Sequence, residues 1–151
     1  MIEMLGVLAI IGVLSVGGIA GYSKAMTKFK TNKMIDEYNS IAFNLVENYP
    51  NLLKSYASIT DKNAELYNDA SRLKWLPETW KPRYKSGAVY LDDGYGNLTH
   101  FYMRYDSSSK KRRVIMDIYL GKSVDNFNTI SEFPFDSCLA FFDNWLKPIS
   151  S

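Results

Sequence analysis

Glu3 is the single carboxylate ahead of an uncharged run, Met4 to Ser23, that lasts until Lys24, and that position restricts its chemistry to charge pairing. A carboxylate at an apolar boundary sits among lipid headgroups at little cost, whereas one left unpaired in hydrocarbon costs several kcal/mol. Asp92, Asp93 and Asn97 surround Gly94 and Gly96 and offer oxygen atoms to a hard cation such as calcium, although the same spacing serves an ordinary Gly-rich hairpin. Lys110, Lys111, Arg112 and Arg113 carry the charge to touch a phosphate backbone, with a solvated turn as the default. His100, within Thr99-His100-Phe101, has no cysteine or carboxylate at metal-ligand spacing, and Cys138 lies near Asp136 and Asp143 with no local histidine to activate its thiol. Both read as structural. No catalytic constellation emerges, so the chain is expected to be neither an enzyme nor the carrier of a cofactor.

The element that positions Glu3 is the run itself. Its 20 residues span roughly 30 Å as a helix, the hydrocarbon thickness of a bilayer. A cleavable secretory signal would have a basic start and a shorter apolar core of about 7–15 residues, and here the charge that precedes the run is acidic. A plain single-pass anchor is the simplest reading. Gly6, Gly12, Gly17, Gly18 and Gly21 weaken the helix by roughly 1 kcal/mol each against Ala in water yet allow close approach of a second helix, and Gly17 with Gly21 forms a small-xxx-small pair. The rest of the chain is a domain of roughly 125 residues, enough for one core. The organisation is therefore 1–23 as the membrane or filament-core segment and 24–151 as the head. The net charge of +2 makes no demand for a nucleic-acid partner. With one cysteine the chain has no internal disulfide.

The segment Ile2-Glu3-Met4-Leu5-Gly6-Val7-Leu8-Ala9-Ile10-Ile11-Gly12-Val13-Leu14 closely resembles the N-terminal segment of type IV pilins and type II secretion pseudopilins, with its glutamate followed by an apolar helix containing Ala-Ile-Ile-Gly. Tyr22 falls where many pilins carry a tyrosine at the membrane-exit end. The resemblance covers about 22 to 25 residues, and Ala20 departs from it, since pilins often have a kink-forming proline there. It implies that Glu3 neutralises the N-terminal ammonium of a neighbouring subunit as the helix passes from bilayer into filament. It also implies a short basic leader ending in glycine, removed by a prepilin peptidase, with the mature N-terminus two residues upstream of Met1. The partners implied are copies of the chain or other pilins, the inner-membrane assembly machinery and the bilayer. The location would be the bacterial inner membrane, then an extracellular pilus or a periplasmic pseudopilus. The major pseudopilins use a calcium loop, which is a second reason to watch Asp92, Asp93 and Asn97. One signal opposes that topology: Lys24, Lys28, Lys30 and Lys33 would hold their side of the membrane in the cytoplasm.

Beyond the anchor the apolar period becomes helical. Ile35, Tyr38, Ala42, Leu45, Val46, Tyr49, Leu52, Leu53 and Tyr56 keep i, i+3, i+4, i+7 spacing, so the anchor is expected to continue as one amphipathic helix that Pro50 ends near Asn48 or Tyr49. A further helix is expected over Thr60–Leu73, capped by Thr60 or Asp61, with Leu66, Ala70 and Leu73 inward. Pro77 and Pro82 should then end regular structure, with Trp75 and Trp80 over the core's edge. Strand patterns occupy 88–91, 98–105 and 114–120, joined by turns at 92–97 and 106–111, and Pro134–Leu146 reads as a final helix with Cys138, Phe141, Phe142 and Trp145 near one face. The expected fold is α+β, a long N-terminal helix packed on a three- to four-stranded antiparallel sheet.

Overall fold

The computed structural model describes residues 2–60, 63–121 and 135–143. Helix α1 runs without interruption over Ile2–Glu47, 46 residues, about 69 Å at 1.5 Å per residue. Within its apolar half Ser15 Oγ donates to the Ile11 carbonyl of its own helix at 2.7 Å. The break falls where Pro50 lacks a donor: Asn48 leaves helical geometry and α2 resumes at Tyr49–Ser55 with the proline in its first turn, where a missing N–H costs nothing.

The stretch expected to be one helix over 60–73 is instead a two-residue strand β1 (Ala64–Glu65) followed by α3 (Tyr67–Arg72). Leu66 occupies the cap position of α3 without a side-chain cap bond, Thr60 lies outside any helix, and Asp61 lies outside the described residues. Tertiary pairing explains the correction: Ala64 and Glu65 pair with Met103 and Tyr102, and Leu66 N–H donates to the Phe101 carbonyl at 3.2 Å. Leu66 and Ala70 do turn inward, but Leu73 stays exposed.

Pro82 does not end regular structure. It lies within β2 (Lys81–Lys85), an edge strand, where a residue without an N–H is tolerated. Ser86 (φ 52°) and Gly87 (φ 81°) both adopt left-handed geometry, the two-residue turn that matches strand twist, and return the chain to β3 (Ala88–Asp92). β4 (Leu98–Asp106) and β5 (Lys111–Tyr119) complete an antiparallel sheet of five strands, one more than expected at most. β4 is central. One edge pairs with β5 along its whole length, while the other is shared by β3 at Leu98–Thr99 and by β1 at Tyr102–Met103. Helix α4 (Phe135–Phe141) lies within the expected C-terminal helix, of which Pro134, Trp145 and Leu146 are outside the described residues.

The architecture is therefore α+β, with α1 across one face of the sheet. Thr99, Phe101 and Met103 of β4 point at Met34, Ile35, Tyr38, Ile41 and Leu45 of α1, and Trp75, Trp80 and Phe141 close the core. The ring of Tyr38 meets Trp80 edge-on at 4.9 Å and Phe141 at 5.4 Å, geometries that suit aromatic quadrupoles. The observed α1 stripe differs from expectation at three positions. Met34 and Ile41, one heptad apart, are fully inside, whereas Val46 is 75% exposed because it points about 100° around the helix from the buried Leu45.

Candidate functional site

The two halves of α1 present unlike surfaces. From Met4 to Tyr22 every large apolar side chain is open, from Ile11 at 54% to Val13 at 74% exposure. The helix passes by length and composition as a membrane span, and none of the span is buried within the chain. Glu3 lies at its tip beside Met4, Val7 and Leu8 in a shallow groove, and among the described residues it has no hydrogen-bond or ionic partner. The glycines are equally unexplained from within: a Cβ added at Gly6, Gly12, Gly17, Gly18 or Gly21 would meet nothing within 4 Å. At about 100° per residue Gly6, Gly17 and Gly21 fall within roughly 60° of one another, a narrow smooth strip on which a second helix could lie close.

The candidate calcium residues are committed elsewhere. Asp93 is fully buried. Its Oδ1 accepts from Tyr95 N–H at 2.7 Å and Asn97 N–H at 3.0 Å, and its Oδ2 from Asn97 Nδ2 at 2.7 Å and the Tyr38 hydroxyl at 3.1 Å. The carbonyl oxygen of Asn97 accepts from Gly121 N–H. Asp92 accepts from Gly94 N–H and faces Arg83 at 3.5 Å. Four donors on one carboxylate close the β3–β4 turn and fasten it to α1, so this cluster is an anchor for the helix and no longer a site open to a cation. Burial raises the Asp93 carboxyl above its ordinary value, against the downward pull of its hydrogen bonds, those from Asn97 foremost. Burial, then the Asp93 charge, raises the Tyr38 hydroxyl.

Glu37, the neighbour of Tyr38, accepts from Trp80 Nε1 at 2.9 Å and from the Tyr95 hydroxyl at 3.3 Å. Thr31 Oγ1 and Ser137 Oγ share a buried hydrogen bond of 2.9 Å that joins α1 to α4. None of these bonds was legible as a pair in the sequence. The signal that existed was local: Asp93-Gly94-Tyr95-Gly96-Asn97 has the residues of an Asx turn, and Tyr38 sits on the buried stripe with a hydroxyl that must find a partner.

The basic segment is also dispersed. Lys111, Arg112 and Arg113 belong to β5 instead of the turn. Arg112 Nε donates to the Ile59 carbonyl at 3.1 Å, its guanidinium reaches the Ala57 carbonyl and lies 5.3 Å from the Tyr105 ring. Arg113 faces Asp106 at 3.6 Å. Lys110 and Lys111 alone of the four are left exposed without a described partner. His100 does meet a carboxylate, one supplied by β1: Glu65 Oε1 lies 2.8 Å from its Nε2, and Glu65 Oε2 accepts from Val89 N–H. The ring stacks on Tyr102 at 4.7 Å. Glu65 thereby bridges β3 and β4 where they part. Cys138 is half-buried, beside the docked Ser137.

No protein-family model, curated protein or solved structure matches this chain. Among the described residues, no group of three or more His, Cys, Asp or Glu side chains is placed to hold a metal. What distinguishes the molecule is one long apolar surface on α1 with nothing from the described residues against it.

Proposed function

We propose that this chain is a structural subunit of a type IV pilus-like filament, held in the inner membrane by residues 4–23 and assembled through α1 with its head outward. The observation that carries the reading is the exposed apolar half of α1, continuous with a helix whose other half is locked to a sheet. Burial of that surface against copies of itself would drive assembly, at about 25 cal/mol per Å² of apolar area. Glu3 would set the register by meeting the N-terminal ammonium of a neighbour, since neither charge is tolerated alone in an apolar filament core. The resemblance of residues 2–14 supports the same assignment, and a pseudopilin of a type II secretion system shares every one of these features.

Lys24, Lys28, Lys30 and Lys33 favour a second reading, a monomeric single-pass protein whose head binds a ligand or protein on the cytoplasmic side. Glu3→Ala separates the two. In a filament subunit the variant remains in the membrane with an unchanged head, and sheared filaments seen by electron microscopy disappear. Filaments formed normally by Glu3→Ala would remove the role given to Glu3. A wild-type chain that stays monomeric at every membrane density would remove the filament reading itself.

A further inference from the structure

Lys24, Lys28, Lys30 and Lys33 come within ten residues of the end of the uncharged span, with no acidic residue among them. All four are exposed, and among the described residues none has an ion-pair or hydrogen-bond partner. At about 100° per residue Lys24 and Lys28 lie within roughly 40° of each other, Lys30 and Lys33 within roughly 60°, and the two pairs stand on opposite sides of the helix. A protein partner approaches a helix from one side. Cations on both sides suit a medium that surrounds it.

The directions and depths agree. Side chains on a helix lean toward its N-terminus, here toward the span, and lysine stems reach along apolar surface while keeping the ammonium wet. At 1.5 Å per residue Lys24 and Lys28 lie about 1.5 and 7.5 Å beyond Ser23, at the depth of a headgroup layer of roughly 5–7 Å on each side of the hydrocarbon, while Lys30 and Lys33, about 10 and 15 Å beyond it, stand above that layer within roughly one Debye length of its surface. Tyr22 and Phe29, 67% and 65% exposed, project within roughly 20° of each other about 10 Å apart along the axis, and Tyr22 stands at the end of the span, where tyrosine concentrates in membrane proteins. A cleft of about 350 Å³ opens beside Lys30, walled by Thr27, Thr31, Met34, Gly94, Tyr95 and Ser137.

We infer that the four lysines, with Tyr22 and Phe29, form a collar that binds the phosphates of anionic phospholipids and seats the head on the leaflet from which α1 emerges. The inference rests on reading residues 4–23 as a membrane span and holds for a filament subunit before assembly as for a monomer. Opposite charge on the lipid surface attracts juxtamembrane lysines within a Debye length and is screened by salt.

The test is lysine acetylation of the full chain in nanodiscs, which leave both faces accessible, followed by peptide mass spectrometry. Discs of phosphatidylcholine are compared with discs in which roughly one-third of the lipid is phosphatidylglycerol. The expected result is that Lys24, Lys28, Lys30 and Lys33 react about fivefold more slowly in the anionic discs, that Lys81, Lys85 and Lys110 do not change, and that roughly 1 M salt abolishes the difference. Equal rates in the two lipids, with the chain inserted, would overturn the collar alone. A chain that does not enter the discs would overturn the span and the collar together. Equal protection by inorganic phosphate in neutral discs would assign the cations to a soluble anion and overturn the lipid assignment.

Discussion

Residues 4–22 and residues 31–47 belong to one helix with the same backbone geometry, yet they differ in everything that packing decides. In the second stretch polar residues tie the helix to its surroundings: Thr31 with Ser137, Glu37 with Trp80 and Tyr95, Tyr38 with Asp93 and Thr99. In the first, no tertiary hydrogen bond is made among the described residues, and Ser15 serves its own helix. Specific directional bonds fix the head half in one orientation. The exposed half is smooth, glycine-rich and non-directional, the kind of surface that lipid or another apolar helix can cover without a unique fit. The difference teaches that α1 is a strut with two owners, its own head at one end and its surroundings at the other.

The comparison breaks most sharply at Asp93. Asp93→Ala removes a buried acceptor from four donors and should destabilise the head by about 3–5 kcal/mol, read as a fall in the thermal unfolding midpoint of the full chain in detergent, while insertion into membranes is unchanged. Val13→Lys should do the reverse. A lysine at the centre of the span costs about 3 kcal/mol of insertion, roughly 100-fold in the membrane-inserted fraction, and leaves head unfolding as in the wild type, because Val13 is 74% exposed among the described residues. A head that melts early in this variant would show that the two halves are not independent.

A smaller effect sharpens the boundary between them. Thr31→Val leaves the Ser137 hydroxyl without its partner and should cost about 1 kcal/mol, with faster hydrogen exchange confined to α4 and the adjoining turns of α1. The last effect depends on pH. Burial first, then the hydrogen bond to Asp69, pushes the Tyr56 hydroxyl up to about 12, and burial followed by the Glu37 charge does the same to Tyr95. A raised value in the fold means that stability is fully present below the ordinary tyrosine value of 10.0 and is lost as pH rises toward about 12. Head stability should therefore decline across that window, the decline should flatten in Tyr56→Phe and Tyr95→Phe, and insertion of the span should not respond.

Much of the scaffold was legible because it obeys one-dimensional rules. The uncharged run, the switch to a period of 3.6 after Lys33, the break at Pro50 and the three strands β3, β4 and β5 arise from residue order alone. The misreadings share a cause. Pro82 reads as a terminator until it is known to lie on a sheet edge with no neighbour awaiting its N–H. Ala64 and Glu65 read as helix until β4 offers them hydrogen bonds. Val46 reads as part of the apolar stripe, and its exposure follows from the core direction that Met34 and Ile41 set, roughly 120–140° away around the helix. The candidate site divides in the same way: Glu3 and the five glycines were visible as an odd composition, whereas Asp93 and Asn97 looked like cation ligands because nothing in their spacing shows that Tyr38 and Gly121 arrive to occupy them.

The sequence by itself determined which part of this protein avoids water and which tolerates it, because transfer free energy is a property of each side chain and sums along a chain. It also determined where the long helix must stop, since proline carries that rule within its own ring. The tertiary structure alone decided what each polar group is for. A carboxylate, a hydroxyl or a guanidinium becomes an anchor or a free site according to the donors and acceptors that distant segments bring within about 3 Å, and the pairing of Asp93 with Tyr38 or of Glu65 with His100 depends on how the strands register on one another.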